Sequence, residues 1–367
     1  MLQKSFVKPL WAAMSVFTFP FPVLVCDTGG TNVRFALSPE PGAPLGPIAH
    51  LITNDYPGLP EAIEAAVREV GARPRSMIVC GAGPVVGRRL KLTNNSWLMD
   101  GPEAARRAGL AQGLLLNDFE AEALSLPVIE TDWTRPIGPL VFDGKGPQVI
   151  LGPGTGVGVA ALVERDGRFA PVSSEACHAD FGPVTEEEFA LWPHLERPHG
   201  RFTSHDVLCG AGLARLHRAR MIAKGEPDQR LGPQQLTAAA LADRDGEAAM
   251  TLKLYWRIVA RFAGDMAVSF VATGGVTLSG GILPRILDFL DDGVFRKVFE
   301  AKAPVDALAR QIPTRLVIHS DAVLAGMAAI AAAPDRYDID YSSRVWVGCV
   351  AHQNLLEKAL STFQLVQ

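Results

Sequence analysis

The stretch VLVCDTGGTNVRFAL, residues 23–37, decides the fold of this chain. Its two apolar runs, Val23–Asp27 and Asn32–Leu37, predict two short buried β-strands, and the segment Thr28-Gly29-Gly30-Thr31 between them is typical of a tight hairpin turn. Glycines let a backbone approach a ligand closely and adopt positive φ, so consecutive N–H groups in this turn could bind an anion. An ordinary hairpin has the same pattern, and the stretch alone leaves both interpretations open.

A second stretch repeats this arrangement. The strands Gln148–Gly152 and Val157–Val163 flank the loop Pro153-Gly154-Thr155-Gly156. A strand and not a helix follows the glycines, which disfavours a dinucleotide fold, and neither stretch is a Walker loop. Two strand–glycine turn–strand units at this separation predict a duplicated α/β lobe with a phosphate-binding hairpin in each half.

Between and after these units, predicted strands alternate with predicted helices, the α/β pattern. Further strands are predicted at Ser76–Cys80, Arg89–Thr93 (an edge strand), Gly113–Leu116 and Val276–Ser279. Helices are predicted at Leu59–Val70, Phe119–Leu124, Asp206–Ala223, Glu247–Ala272, Leu283–Leu290 and Ala322–Ala332. The Pro- and Gly-rich segment Pro127–Pro147 is predicted to cross between lobes, and the tail after Ala333 to be irregular.

Composition excludes several classes of protein. The net charge of −4 over 367 residues lacks the basic character of a nucleic-acid binder. The five dispersed cysteines include no C-x-x-C pair, which favours a reducing cytoplasm. No segment has the quality of a membrane span, because charged residues at i, i+4 spacing punctuate Thr251–Thr273 and predict a core helix there. The apolar run Pro9–Val25 vaguely resembles a secretion signal, but Pro20 and Pro22 interrupt it, and Met14 could be the true start. We therefore expect a cytoplasmic protein that does not associate with membranes.

Asp118 is the first candidate for chemistry. It follows the predicted strand Gly113–Leu116 and begins a helix, so it lies at the edge where α/β sheets bind ligands. Aspartate is also a frequent helix N-cap, and the position alone does not separate the two roles.

The segment Glu175-Ala176-Cys177-His178 is the second candidate. A carboxylate and an imidazole three residues apart could bind neighbouring sugar hydroxyls. A metal site formed by Cys177, His178, His205 and Cys209 is the alternative, although no C-x-x-C pair supports it.

Taken together, these motifs resemble the bacterial glucokinase family, over roughly residues 19 to 333. The matching motifs occur in the family's order: Asp27–Asn32 followed by Arg34-Phe35-Ala36-Leu37, Leu92-Thr93-Asn94-x-x-Trp97, Asn117-Asp118-Phe119, Gly152–Gly158, Glu175-x-x-His178-x-Asp180 and Leu278-Ser279-Gly280-Gly281-Ile282. The resemblance implies a two-lobed actin/hexokinase-like (ribonuclease H-like) ATPase fold with a cleft between a small and a large domain.

The domain limits implied are an N-terminal extension (1–20), a small α/β domain (21–127, completed by about 320–334), a large α/β domain (128–319) and a C-terminal extension (335–367). The resemblance further implies ATP-dependent phosphorylation of glucose to glucose 6-phosphate and a possible homodimer.

The resemblance also assigns roles to individual residues. Asp118 is expected to be the base that accepts the proton of the sugar 6-hydroxyl. The substrate-binding positions are Asn94, Asn117, Asp118, Glu175, His178 and His205. The ATP- and phosphate-binding positions are Asp27, Thr28, Gly29, Gly30, Thr31, Asn32, Gly154, Thr155, Gly156, Gly280 and Gly281. Asp27 is expected to hold Mg²⁺ through water, since Mg²⁺ retains much of its hydration shell.

The sequence departs from the family pattern at two places. The family usually has two glycines where Ala176 and Cys177 stand, so a need for positive φ would make this loop shift. His205 stands where the family has a second sugar-binding Glu, and Asp206 could replace that Glu if the helix turned by one residue. Because a neutral imidazole offers one acceptor where a carboxylate offers several, we expect weaker glucose binding or a different preferred hexose. A kinase of another hexose or amino sugar and a non-catalytic sugar-binding regulator are the alternatives.

Overall fold

The computed structural model describes residues 17–227 and 230–348. Residues 1–16 and 349–367, which belong to the two predicted terminal extensions, lie outside the described residues. The strands are β1 (Val23–Thr28), β2 (Asn32–Ser38), β3 (Ile48–Ile52), β4 (Ser76–Gly81), β5 (Val85–Val86), β6 (Arg89–Lys91), β7 (Leu98–Asp100), β8 (Gln112–Asn117), β9 (Thr134–Ile137), β10 (Gln148–Pro153), β11 (Val157–Arg165), β12 (Arg168–Ser174), β13 (Gly275–Leu278), β14 (Thr314–Val317) and β15 (Val345–Val347). The helices are α1 (Leu59–Val70), α2 (Gly101–Ala108), α3 (Asp118–Ser125), α4 (Glu186–Leu191), α5 (Ser204–Leu208), α6 (Gly210–Lys224), α7 (Pro233–Ala242), α8 (Glu247–Ser269), α9 (Asp292–Glu300), α10 (Asp306–Ala309), α11 (Ala322–Ala332) and α12 (Tyr341–Arg344).

Two six-stranded sheets of matching topology organise these elements. The first has the order β15-β8-β4-β1-β2-β3, and the second has the order β12-β11-β10-β13-β14-β9. In the first sheet, β1 forms a hairpin with β2 and pairs in parallel with β4, which pairs in parallel with β8. In the second sheet, β10 forms a hairpin with β11 and pairs in parallel with β13, which pairs in parallel with β14. The outermost strands β15 and β9 are antiparallel to their neighbours. The predicted internal repeat and the α/β class are confirmed.

Helices α3 and α11 lie between the two sheets. Val25 and Leu116 of the first sheet and Ile150 of the second share one apolar core with Leu124 of α3 and Met327 of α11. A helix that is apolar on more than one side is stable only when it is enclosed in this way. As a result, α3 begins at the end of β8 and passes directly along the face of the second sheet.

The outer faces of the sheets are covered by the remaining helices. Helices α1 and α2 pack on the first sheet, and the apolar side of α8 packs on the second with Tyr255 fully buried. The core helix predicted here is confirmed. Within the described ranges, no helix is long and apolar enough to cross a membrane.

The prediction of an irregular tail after Ala333 is wrong for residues 341–347. Strand β15 pairs with β8, and Trp346 is fully buried. A Cβ atom on Gly101 or on Gly113 would lie 2.3 or 2.0 Å from the Trp346 ring, so these two glycines form the slot that the indole fills. A three-residue strand whose partner lies more than 200 residues earlier has no local signal in the sequence.

Four further elements differ from their predictions. The helix expected at 206–223 is two helices, because Cys209 ends α5 and its thiol accepts the Gly212 N–H to cap α6. The crossing segment 127–147 contains β9, which pairs with β14. The segment Leu283–Phe289 is a 3₁₀ helix, and the predicted edge strand is the shorter β6, in a separate three-stranded sheet with β5 and β7.

Candidate active site

Asp118 is the first residue of α3, and the helix cap is its neighbour Asn117. The Asn117 side-chain oxygen accepts the Glu120 N–H at 3.1 Å, and the Glu120 carboxylate accepts the Asn117 N–H at 3.3 Å, which completes a capping box. Asp118 Oδ1 accepts hydrogen bonds from the Phe119 N–H and from Asn117 Nδ2, both at 2.9 Å. Among the described residues, Oδ2 has no hydrogen-bond donor. The sequence left open whether Asp118 is a cap, and the structure gives that role to Asn117.

Three carboxylates cluster around the start of α3. Burial raises the pKa of Asp118 to about 6, and the negative charge of Asp27 contributes in the same direction. Burial also raises the pKa of Glu122 to about 8, with Asp118 and Asp27 adding to it while the Ser279 hydroxyl, which donates to Glu122, opposes it. The only positive charge paired directly with this cluster in the described residues is Arg34, which forms an ion pair with Asp27.

The first glycine hairpin differs from its prediction in backbone conformation. Gly29 and Gly30 are not among the residues with positive φ, so the expectation of positive φ is wrong there. Close approach favours glycine at both positions: a Cβ on Gly30 would lie 3.3 Å from Asn94 Cβ, and one on Gly29 3.1 Å from the Asn32 carbonyl, so a larger residue would displace its neighbours slightly. Thr28 is buried. Thr31 and Asn32 are exposed at the turn.

The second glycine loop is tied to the segment that follows β13. The Gly154 N–H donates to the Gly156 carbonyl at 2.7 Å, which closes the turn with Thr155 exposed at its tip. Gly280 has φ +88°, and a Cβ on it would lie 2.4 Å from the Pro153 carbonyl, so only glycine fits. Gly281 lies beside it with open space around it. The expected phosphate loop and the expected adenosine turn are therefore in direct contact.

Gly158 brings the second loop against the helix that carries Asp118. A Cβ on Gly158 would lie 1.9 Å from Phe119 Cδ2 and 2.0 Å from Cε2. Because real carbon atoms do not approach so closely, the Phe119 ring occupies the space that any other residue at 158 would need. This contact packs β11 of the second sheet against α3 next to the candidate base.

The segment with Glu175 and His178 forms a short 3₁₀ helix at Ala176–His178. Neither Ala176 nor Cys177 has positive φ, so the loop accommodates both residues without strained backbone. Glu175 and His178 are exposed, with 3.6 Å between His178 Nε2 and Glu175 Oε2. The Ser204 hydroxyl donates to the Cys177 carbonyl at 2.8 Å and holds this segment to α5.

His205 lies between the segment with His178 and the second glycine loop. Its ring stacks on the His178 ring with 4.7 Å between centroids, and its Nδ1 accepts the Val157 N–H at 3.3 Å. Burial, followed by the charge of His178, lowers the pKa of His205. Asp206 is buried and accepts the Thr203 hydroxyl at 2.6 Å, so the alternative in which Asp206 takes the place of His205 is wrong.

The alternative metal site is partly present. Cys177, His178 and His205 offer ligand atoms within 4.8 Å of one another, whereas Cys209 is not in the group and caps α6. The Val157 N–H occupies the Nδ1 lone pair of His205, which leaves Nε2 as the protonated nitrogen. A metal ligand needs a free nitrogen lone pair, so this tautomer opposes coordination by His205.

Several residues that shape the site were not among the site residues predicted from the sequence. Asn95 donates to the Gly30 carbonyl at 3.1 Å, Arg34 pairs with Asp27, and Glu122 contacts Ser279. The role of Glu120 in the helix cap could be found from the sequence, because Asn-x-x-Glu is a capping-box pattern. The ion pair of Glu120 with Arg344 at 2.5 Å could not, since it joins residues 224 positions apart.

Several glucokinases resemble this chain in sequence and in fold. The family model described as glucokinase matches residues 24–334. The glucokinase of Rhizobium meliloti (strain 1021) is 40% identical over 333 residues, covering 90% of this chain and 98% of that protein. The crystal structure of a glucokinase from an Antarctic psychrotroph superposes with a TM-score of 0.75 at 28% identity, covering 85% of this chain and 99% of that one. A glucokinase from Balamuthia mandrillaris, solved in complex with glucose, shares the fold with a TM-score of 0.70 at 18% identity, covering 84% and 93%.

Proposed function

This chain belongs to the glucokinase family, and we propose that it transfers the γ-phosphoryl group of ATP to the 6-hydroxyl of glucose, with Asp118 as the general base. The observation that carries the proposal is the position of Asp118. It begins the helix after β8 without serving as the cap, and its Oδ2 has no hydrogen-bond donor among the described residues. Its pKa of about 6 suits a base that must be ionised near neutral pH yet accept a proton.

In the proposed reaction, Asp118 accepts the proton of the sugar 6-hydroxyl as that oxygen attacks the γ-phosphorus. The bond from phosphorus to the bridging oxygen breaks, and ADP leaves with that oxygen. Asn117 acts as a positioning residue, because its amide caps α3 and also donates to Asp118 Oδ1 and to the Gly83 carbonyl. Phosphoryl transfer depends mainly on positioning and charge neutralisation, which explains why a residue that orients the base matters.

The glycine turns suit the triphosphate. Gly29, Gly30 and Thr31 would face the phosphates from one sheet, and Gly154, Thr155 and Gly156 from the other. The contact of Gly280 with Pro153 supports placing the adenosine beside this second turn. Both turns expose backbone at the ends of buried strands, where N–H groups can bind an anion.

The carboxylates fit Mg²⁺ as an ion held through water. Asp27 and Asp118 are hard oxygen groups whose mutual repulsion a divalent cation would relieve, whereas Glu122, with a pKa of about 8, is mostly protonated near neutral pH. Arg34 already occupies one oxygen of Asp27, so a hydrated ion suits this carboxylate better than direct coordination. Bound with ATP, Mg²⁺ would supply neutralisation of the phosphate charge.

Glu175, His178 and His205 are the proposed sugar contacts, together with Asn94, which covers Gly30. A second candidate is a kinase of the same fold that prefers another hexose or an amino sugar. His205 favours it, because an imidazole stands there with its Nδ1 already bonded to Val157.

The proposal also includes the expected cellular location, oligomeric state and domain limits. Four cysteines are free and buried (Cys26, Cys80, Cys177 and Cys209), which supports a reducing, cytoplasmic location. The homodimer and the domain limits near residues 21, 128 and 319 stay predictions.

The test is ADP release from Mg-ATP measured across a panel of hexoses. Glucose-dependent ADP formation supports the first candidate, and ADP formation with another sugar alone supports the second. Sugar binding without turnover would refute both and indicate a regulator. A matched Asp118→Asn variant with unchanged thermal unfolding should lose all activity above a low residual level.

A further inference from the structure

His205 is held in one tautomer by its backbone partner. The Val157 N–H donates to Nδ1 at 3.3 Å, and a backbone N–H can only donate. Nδ1 is therefore the nitrogen with the lone pair, and Nε2 carries the hydrogen in the neutral ring. The lowered pKa of His205 favours that neutral form.

The ring of His205 lies between two segments proposed to bind ligands. The ring edge lies next to the second glycine loop, since a Cβ on Gly156 would be 3.0 Å from Cε1. The ring face stacks on His178, one of the proposed sugar contacts. Within the described residues, Nε2 has no hydrogen-bond partner, and His205 is only half-buried, so a ligand bound between these segments can supply one.

From this geometry, we propose that His205 is a donor-only specificity residue of the sugar site. The inference rests on the proposed function and deepens it. His205 selects hexoses that present a hydrogen-bond acceptor to Nε2, and it tolerates acceptors that carry no hydrogen, such as fluorine, an ether oxygen or a carbonyl. A glutamate at this position has the opposite polarity, because an ionised carboxylate only accepts. Glucose is accommodated, since a hydroxyl can accept as well as donate.

A bound sugar would cover the half-buried His205 ring, so the size of the preference follows from the penalty for an unpaired donor in that buried state. Removing the acceptor leaves the Nε2–H without a partner, which costs about 5- to 150-fold in affinity. A fluorine restores part of that loss because it accepts weakly. Fluorine opposite a glutamate restores nothing, because two acceptors face each other.

The experiment is calorimetric binding of glucose and of matched deoxy and deoxyfluoro analogues at each ring hydroxyl, without ATP. At one ring position, the deoxyfluoro sugar should bind the parent protein several-fold more tightly than the deoxy sugar. His205→Glu should abolish or invert that ratio. His199→Glu, which adds the same charge at an exposed histidine, should keep it. If His205→Glu does not unfold cooperatively, His205→Leu replaces it, and loss of the ratio is again expected.

Equal affinities of each deoxy and deoxyfluoro pair for the parent protein would overturn the inference. A ratio that survives in His205→Glu or His205→Leu would also overturn it, as would failure of every sugar in the series to bind. Because no turnover is needed, failure of the kinase proposal is a separate result: glucose would bind with this polarity but give no ADP when Mg-ATP is added.

Discussion

Replacing Gly158 with alanine should damage catalysis without touching any candidate ligand contact. The new methyl group would lie 1.9 Å from Phe119 Cδ2 and 2.0 Å from Cε2, whereas carbon atoms in contact stay about 3.5–4.0 Å apart. The Phe119 ring must therefore move by more than ~1 Å, and Asp118 is the adjacent residue. Over-packing of this kind costs about 1–3 kcal/mol of stability. A misplacement of about 1 Å at a reacting group costs roughly 10²-fold in rate.

The assay is steady-state ADP release with saturating Mg-ATP and varied glucose, with urea unfolding of the same samples. We expect kcat to fall about 10²-fold in Gly158→Ala, with a smaller change in KM for the sugar. Gly182→Ala is the matched control, because nothing lies within 4 Å of its Cβ position and its φ is ordinary. Phe119→Leu in the Gly158→Ala background should recover part of the lost rate by making room. A Gly158→Ala enzyme with kcat close to the parent value would refute the claim that this contact positions Asp118.

The other predictions concern the base, the buried acid and the tail. Asp118→Asn should lower kcat by about 10²–10⁴-fold with the thermal midpoint retained. For the parent enzyme, kcat/KM should fall about tenfold per pH unit below pH about 6, where Asp118 becomes protonated; a flat profile from pH 5 to 8 would contradict the assignment. The folded state raises the pKa of Glu122 from 4.5 to about 8, so its contribution to stability is fully present below pH about 4.5 and is lost as pH rises through about 8. Glu122→Gln should therefore flatten the fall in unfolding free energy between pH about 4.5 and about 8, and it should preserve the hydrogen bond from Ser279. Glu122→Leu cannot accept that hydrogen bond and should raise KM for ATP. Equal effects of the two variants would contradict a role for this contact. Trp346→Ala should cost about 3–5 kcal/mol in urea unfolding, against little for Val141→Ala, whose side chain is exposed. A loss below about 1 kcal/mol would contradict the role of the tail.

Local chemistry explains which parts of the fold were predictable. Strand β1 and helix α1 have patterns that do not depend on distant partners: an unbroken apolar run before Gly29-Gly30, and an apolar face with Gly71 at the end of the helix. The duplicated glycine hairpins were visible for the same reason. The break at Cys209 was not, because a thiol acting as a helix cap does not stand out from a cysteine inside a helix.

The sequence predicted the residue types of the candidate site, but not which of their groups donate and which accept hydrogen bonds. The sequence proposed Asp118, Glu175 and His178 through the resemblance to the glucokinase family, because their pattern alone left other roles open. The tautomer of His205 depends on Val157, which comes 48 residues earlier in the chain and contributes only a backbone N–H. No pattern of side chains encodes such a contact. Likewise, the pKa of Glu122 depends on enclosure between two sheets, which emerges only from the assembled fold.

Strand β15 has a consequence for the way the chain is made. Because synthesis proceeds from the N-terminus, β8 remains an uncovered sheet edge until residues 345–347 have left the ribosome, and uncovered edges invite pairing with other chains. Arg344, which directly precedes β15, can form its ion pair with Glu120 only after the same part of the chain has left the ribosome. A nascent chain ending at Pro334 would carry every proposed ligand contact, yet the first turn of α3 would still lack this ion pair. The β8–β15 pairing and the Arg344–Glu120 ion pair would then form only after every proposed ligand contact has been synthesised.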